Sequence, residues 1–567
     1  MRAGPRAALT VALATAACAG DPPGAPDQPD ECAEIGSASA ALGLADRAIV
    51  GPAEAYPADA ELRGREQELR GSQRARREAA WRIVERALAP VGLAEDLPAD
   101  VPAEVPRFQT WYGRDDFQRM FHRLYGDLGP SGRSEREAFG DAAIDEALGW
   151  NASAVHEAPS WPAERYQEYV AAIDEAVEVG GVGGVGRVGY SPGAARHLLA
   201  SYAAALPCVY GEPPPAFVDG DGPAERQLLR QGVDVGACER RELGPFFVAG
   251  GEVLRARIDG GQTLRLLAGP PESRDEVCAA AAGEACEAAG PGPITIEVAA
   301  GGEGGRAVVD VELGEAQPTW AACMAGPFPV DAAVVKADWR RSDFGATLPV
   351  HDTSADALQR QLAGASPDWG EGEGAADPGP DQIYTAVLPN GQRYRLAALH
   401  VMTKELDHWM WVTLWWSPDP ESDFGADRPD SIAELGGPWR NYKMCSVAWF
   451  REQDPDPTGG YADSAPALAE ALAAAHPGEG GPSWCSNPYL ELGAGNGATN
   501  CTGCHQHGGT GLTPEVILAG EESFPAHGRI QVRNNFATDY SWAIDSGDRL
   551  GRIIADEVEY YDSFEQP

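Results

Sequence analysis

The chain has 567 residues, enough for two to four domains that each bury a core of their own. Its 86 acidic residues outnumber 44 basic ones, giving a net charge of −42, a balance that repels nucleic acid and anionic lipid head groups and argues against a nucleic-acid partner. Beyond the extreme N-terminus no stretch is long and apolar enough to span a bilayer.

Arg2 and Arg6 precede an apolar run, Ala7 to Ala17, that ends at Cys18: a positive start, a short apolar core and then small residues, which is the pattern of a secretory signal. The order Leu13-Ala14-Thr15-Ala16-Ala17-Cys18 resembles a bacterial lipobox, in which the cysteine is lipidated and becomes the mature N-terminus. Thr15 stands where an aliphatic residue is usual, and cleavage after an Ala-x-Ala pattern is the competing reading. Residues 1–18 are thus expected to be a signal peptide of lipoprotein type, and residues 19–60 a flexible tether. The protein is expected on the periplasmic side or in the outer membrane, attached through Cys18 if that residue carries lipid.

From 61 to 240 the pattern is mainly helical. Trp81, Val84, Leu88 and Val91 recur at helical spacing, as do Phe117, Met120, Phe121 and Leu124, and a third helix is predicted near Ala194–Leu206. Asp115 or Asp116 sits where a helix N-terminus favours an acid. Gly181-Val182-Gly183-Gly184-Val185-Gly186 spells GxGxxG, but a helical pattern rather than a buried strand precedes it, so it reads as a loop. From 241 to 316 alternation takes over (Leu254, Ala256, Ile258; Ile294, Ile296, Val298; Val309, Val311, Leu313), with Asp259-Gly260-Gly261 as a hairpin turn. This predicts a small accessory β-sandwich.

Residues 317–567 form a third block. Pro389-Asn390-Gly391-Gln392 is a hairpin signal, and the run His408 to Trp416 alternates so that Trp409, Trp411 and Trp415 share one face. A helix is predicted over Ala465–His476, capped by Ser464. The predicted fold class is therefore multidomain α+β: a helical N-terminal block, a small β-sandwich, and a mixed α/β C-terminal block.

Chemistry concentrates near the C-terminus. Cys501-Thr502-Gly503-Cys504-His505 reads as a c-type haem attachment site, with two thiols for thioether bonds and an imidazole for the iron. Positions i, i+3 and i+4 share one face of a helical turn, which Thr499 or Asn500 would cap. With 11 cysteines and 10 histidines in the chain, roughly 0.004 chance matches are expected. A CxxC disulfide, or a zinc site completed by His505, His507 or His527, remain as alternatives. Setting aside Cys18, Cys501 and Cys504 leaves eight cysteines, consistent with disulfides in an oxidising compartment. The most local pairings are Cys278–Cys286, Cys208–Cys238 and Cys445–Cys485.

The CxxCH motif is that of c-type cytochromes. Together with Val335-Lys336-Ala337-Asp338-Trp339, with Leu399 to Lys404 and with Trp409 to Thr413, it resembles exported bacterial cytochrome c-like proteins that carry a single C-terminal CxxCH. Residues 241–316 resemble, more weakly, the pre-peptidase C-terminal type of β-domain. The first resemblance implies one covalent haem c on Cys501 and Cys504, with His505 as the proximal iron ligand. Ordinary soluble cytochromes place CxxCH early and a methionine ligand downstream, whereas no methionine follows Met444 here. A sixth ligand would come from His400, His527 or Met402, with Met410 and Met444 nearby in sequence, or be absent. Electron transfer to a partner protein is the leading expectation. A haem-dependent redox enzyme of peroxidase or oxidase type, with His400 or Lys404 near an open site, and a haem-free binding or structural protein are the alternatives.

Overall fold

A computed structural model describes residues 53–93, 101–149, 165–173, 185–202, 226–313, 328–491, 500–505 and 561, apart from short stretches within these ranges. Among the described residues, eighteen strands form five sheets, and every strand pair is antiparallel. The expectation of an α+β chain with a helical N-terminal block and a mixed α/β C-terminal block is therefore overturned. Helical periodicity in the N-terminal half is real, but it marks apolar faces that bury themselves on a sheet built from distant parts of the chain.

Six helices serve the argument: α1 (Gln73–Leu88), α2 (Arg114–Asp127), α3 (Pro192–Ala200), α4 (Ala355–Ala363), α5 (Pro466–Ala475) and α6 (Cys501–His505). The largest sheet contains β1 (Val185–Tyr190), β2 (Ala333–Arg341), β3 (Thr385–Val387), β4 (Arg393–Thr403), β5 (Met410–Trp416) and β6 (Tyr442–Val447). Its order is β6-β5-β4-β2-β1, with β3 also paired to β4. One hydrophobic core runs through both halves, from Ala53 and Trp81 through Trp111 and Trp339 to Trp415, Trp484 and Cys501.

Ser72 caps α1 by accepting a hydrogen bond from the Ala75 amide. Ala79, Ala80, Ile83, Val84 and Ala87 are fully buried, and α1 packs against β4, β5 and β6. Buried Arg77 pairs with Asp427 at 2.6 Å and donates to the Met444 and Phe424 carbonyls at 2.6 and 2.8 Å. Its guanidinium also lies 4.0 Å from the Met444 sulfur, so α1 covers the sheet face that carries Met444. Val185 and Gly186, the end of the GxGxxG run, open the edge strand β1; the rest of that run lies outside the described residues.

The second core is a sandwich of two four-stranded sheets spanning Arg226–Leu313, closed around Leu254, Ile258, Leu266, Ile296 and Val309. Strands Val253–Asp259 and Thr263–Ala268 belong to different sheets. Asp259-Gly260-Gly261 is thus an arch between layers rather than the hairpin expected, and Gly260 takes φ of +145° there, a conformation suited to glycine. β3 and β4 pair antiparallel as the hairpin expectation requires, with Val387 opposite Arg393; of the turn itself only Gly391 is among the described residues. At α5 the N-cap is Ala465, not Ser464, and Pro466 opens the helix.

Candidate functional site

Strand parity builds the site. His400 on β4 is paired with Lys336 on β2 and Thr413 on β5, and Thr413 is paired with Cys445 on β6. Cross-strand partners share a face, so Lys336, His400, Thr413 and Cys445 form one row. In the neighbouring row Val334, Met402, Trp411 and Val447 stand side by side. Both rows lie on the face opposite α1, because Leu414 and Met444 pair with each other on the α1 side. Met410, two residues before Val412, shares that α1 side. Trp409 takes φ of +65° just before β5 begins, so only Trp411 and Trp415 of the three expected tryptophans share the strand face.

The motif helix α6 docks on this face. Asn500 caps it, accepting a hydrogen bond from the Gly503 amide at 2.7 Å, and its Nδ2 donates to the Ser483 carbonyl at 2.9 Å. Cys501 is buried in the larger core. The His505 ring lies 4.5 Å from the Trp411 ring, centroid to centroid. Segment 483–491 joins α6 to the sheet. Its Cys485 is disulfide-bonded to Cys445, and Asn487 Nδ2 donates to Thr413 Oγ1 at 2.7 Å and to the Leu414 carbonyl at 2.8 Å. Glu491 accepts from the Asn487 amide and places Oε1 3.9 Å from His400 Nε2.

Electrostatics follow from burial. Desolvation, helped by the charges of Lys336 and His505, holds His400 well below the ordinary histidine range, so it stays neutral. Desolvation pushes Glu491 up to about 7, against hydrogen bonds that favour its ionised form. Lys404 donates Nζ to the Asp407 carbonyl at 2.6 Å, in the loop beyond β4.

The donor set fits a c-type haem. Two cysteine positions and an imidazole stand on one helical turn, and a second imidazole stands on the sheet beneath. His400 Nε2 is a buried polar atom without a hydrogen-bond partner among the described residues. Among those residues no group of three or more His, Cys, Asp and Glu side chains could hold a metal ion. Cys18, His507 and His527 lie outside the described residues.

No protein family matches the chain, and no curated protein matches it. Solved structures share only small pieces. A designed double-stranded β-helix is 14% identical, covering 15% of this chain and 97% of its own, with a TM-score of 0.11. An oxalate oxidase is 13% identical, covering 18% of this chain and 57% of its own, with a TM-score of 0.12. A recombinant oxalate oxidase in complex with glycolate is 12% identical, covering 19% of this chain and 61% of its own, with a TM-score of 0.12.

Two of the expected disulfides, Cys278–Cys286 and Cys445–Cys485, are present. Cys238 is exposed, and its expected partner Cys208 lies outside the described residues. Sequence reasoning named His400, Met402, Trp411 and His505 but gave no role to Lys336, Thr413, Asn487 or Glu491. The parity of Thr413 with Trp411 was a usable signal. Segment 483–491 has no periodicity, so nothing local announced that it would cross His400. Among the described residues no helix is long and apolar enough to cross a membrane.

Proposed function

We propose that this chain is an exported, lipid-anchored, monohaem c-type cytochrome-like protein that transfers electrons to or from a partner protein. When bound, haem c supplies an iron that takes up and releases one electron. Cys501 and Cys504 hold it covalently, and His505 is the proximal ligand. Trp411, packed against the His505 ring, fixes that imidazole's orientation. The observation that carries the reading is the capped CxxCH turn docked on a sheet face that also presents His400 and Met402. Two disulfides are in keeping with an oxidising compartment, where c-type haem is attached.

The test is mass spectrometry of the full chain exported from cells that make c-type cytochromes. The peptide containing Cys501 and Cys504 is expected to carry one haem, retained on denaturation and lost when both cysteines are replaced by alanine. Free thiols or a simple disulfide in the wild-type peptide would overturn the proposal.

A further inference from the structure

We propose that His400 is the second axial ligand of the iron, facing His505; this rests on the haem reading above. Four observations converge on it. His400 and Trp411 lie diagonally across neighbouring strands on one face, a placement that separates residues by about 7–8 Å, within reach of an aromatic side chain. The Trp411 ring in turn contacts the His505 ring at 4.5 Å. The two imidazoles therefore address one space from two separate elements, the middle of a sheet and the end of the motif turn.

Among the described residues His400 Nε2 has no hydrogen-bond partner, which leaves it available for ligation, and Glu491 Oε1 at 3.9 Å is beyond hydrogen-bonding distance. The mounting is also rigid. β4 is flanked by β2 and β5, and the Asn487 contacts and the Cys445–Cys485 bond pin the segment above it.

Other candidates are less well placed. Met410 and Met444 face α1, on the far side of the sheet from His505. Met402 shares the correct face but stands directly opposite Trp411, 8% exposed, and packs within the larger core. A thioether in such a setting fills space.

The experiment uses the full-length, haem-loaded protein and reads coordination, not activity. Wild-type ferric protein is expected to give a low-spin electron paramagnetic resonance signal and to lack the far-red absorption band of a methionine-ligated iron. His400→Ala should convert the signal to high spin, and added imidazole should restore low spin. Met402→Leu should leave the spectrum unchanged. Should His400→Ala fail to fold, His400→Met supplies the variant, with the methionine band expected to appear in place of the two-imidazole signature. A methionine band or a high-spin signal in the wild type, or an unaltered low-spin signal in His400→Ala, would overturn the assignment while leaving covalent haem in place. A chain that carries no haem would overturn the functional proposal itself, and this one with it.

Discussion

Cys445 and Cys485 are bonded across 40 residues of chain, and the bond fastens segment 483–491 to β6 beside Thr413, in the row that contains His400. From that anchored segment Asn487 reaches Thr413, Glu491 reaches the vicinity of His400, and Ser483 receives Asn500, the cap of the motif helix. One covalent link thus organises both approaches to the candidate site.

Replacing both Cys445 and Cys485 with alanine should destabilise the larger core by about 4 kcal/mol, the chain-entropy value for a loop of this length. Tryptophan fluorescence during denaturant unfolding reports on the larger core and is silent to the sandwich, because none of the 15 tryptophans falls within 226–313. The midpoint should fall, while a folded sandwich should still be detectable by circular dichroism. An unchanged fluorescence midpoint would show that segment 483–491 is held by its hydrogen bonds and packing without the disulfide.

Local chemistry was legible in the sequence and long-range pairing was not. The motif turn and its Asn500 cap, the pairing of β3 with β4 and the Cys278–Cys286 bond each follow from residues close together in the sequence. The helices of the N-terminal half were visible too, in the spacing of residues such as Trp81, Val84 and Leu88. What periodicity cannot say is what an apolar face will meet. α1 meets strands more than 300 residues away, and β1, beside α3 in sequence, pairs with β2. A helical stretch therefore looked like a separate helical block. Likewise Lys336 and His400 became neighbours only through the β2–β4 register, which alternation within either strand leaves open.

The proposed lipid anchor places attachment to the membrane at Cys18. A lipid-modified Cys18 stabilises membrane binding through its acyl chains by about 0.8 kcal/mol per buried methylene, so two or more chains give stable anchoring. Cys18→Ser should move the protein from the membrane fraction to the soluble fraction, or leave an unprocessed precursor, in fractionated cells probed with antibody. Normal processing with unchanged partitioning would point instead to cleavage at the alanine pattern.

Glu452 gives the stability a pH dependence with a definite sign. Its carboxylate is buried, accepts hydrogen bonds from Ser483 Oγ at 2.6 Å and the Ala448 amide at 2.9 Å, and pairs with Arg76 at 2.8 Å. Desolvation outweighs these contacts and pushes it up to about 7. The folded state therefore holds this proton more tightly than the unfolded chain, where a glutamate titrates near 4.3. Its contribution to stability is full below that unfolded value and is lost as pH rises through the folded one. Glu452→Gln keeps the shape and removes the titration. The unfolding free energy of wild type minus that of Glu452→Gln should fall by up to about 4 kcal/mol between roughly pH 4.3 and 7 and level off above. The measurement is a series of denaturant titrations read by tryptophan fluorescence. A difference that is flat across the window, or that rises with pH, would show that Arg76 and Ser483 hold Glu452 ionised in the folded protein.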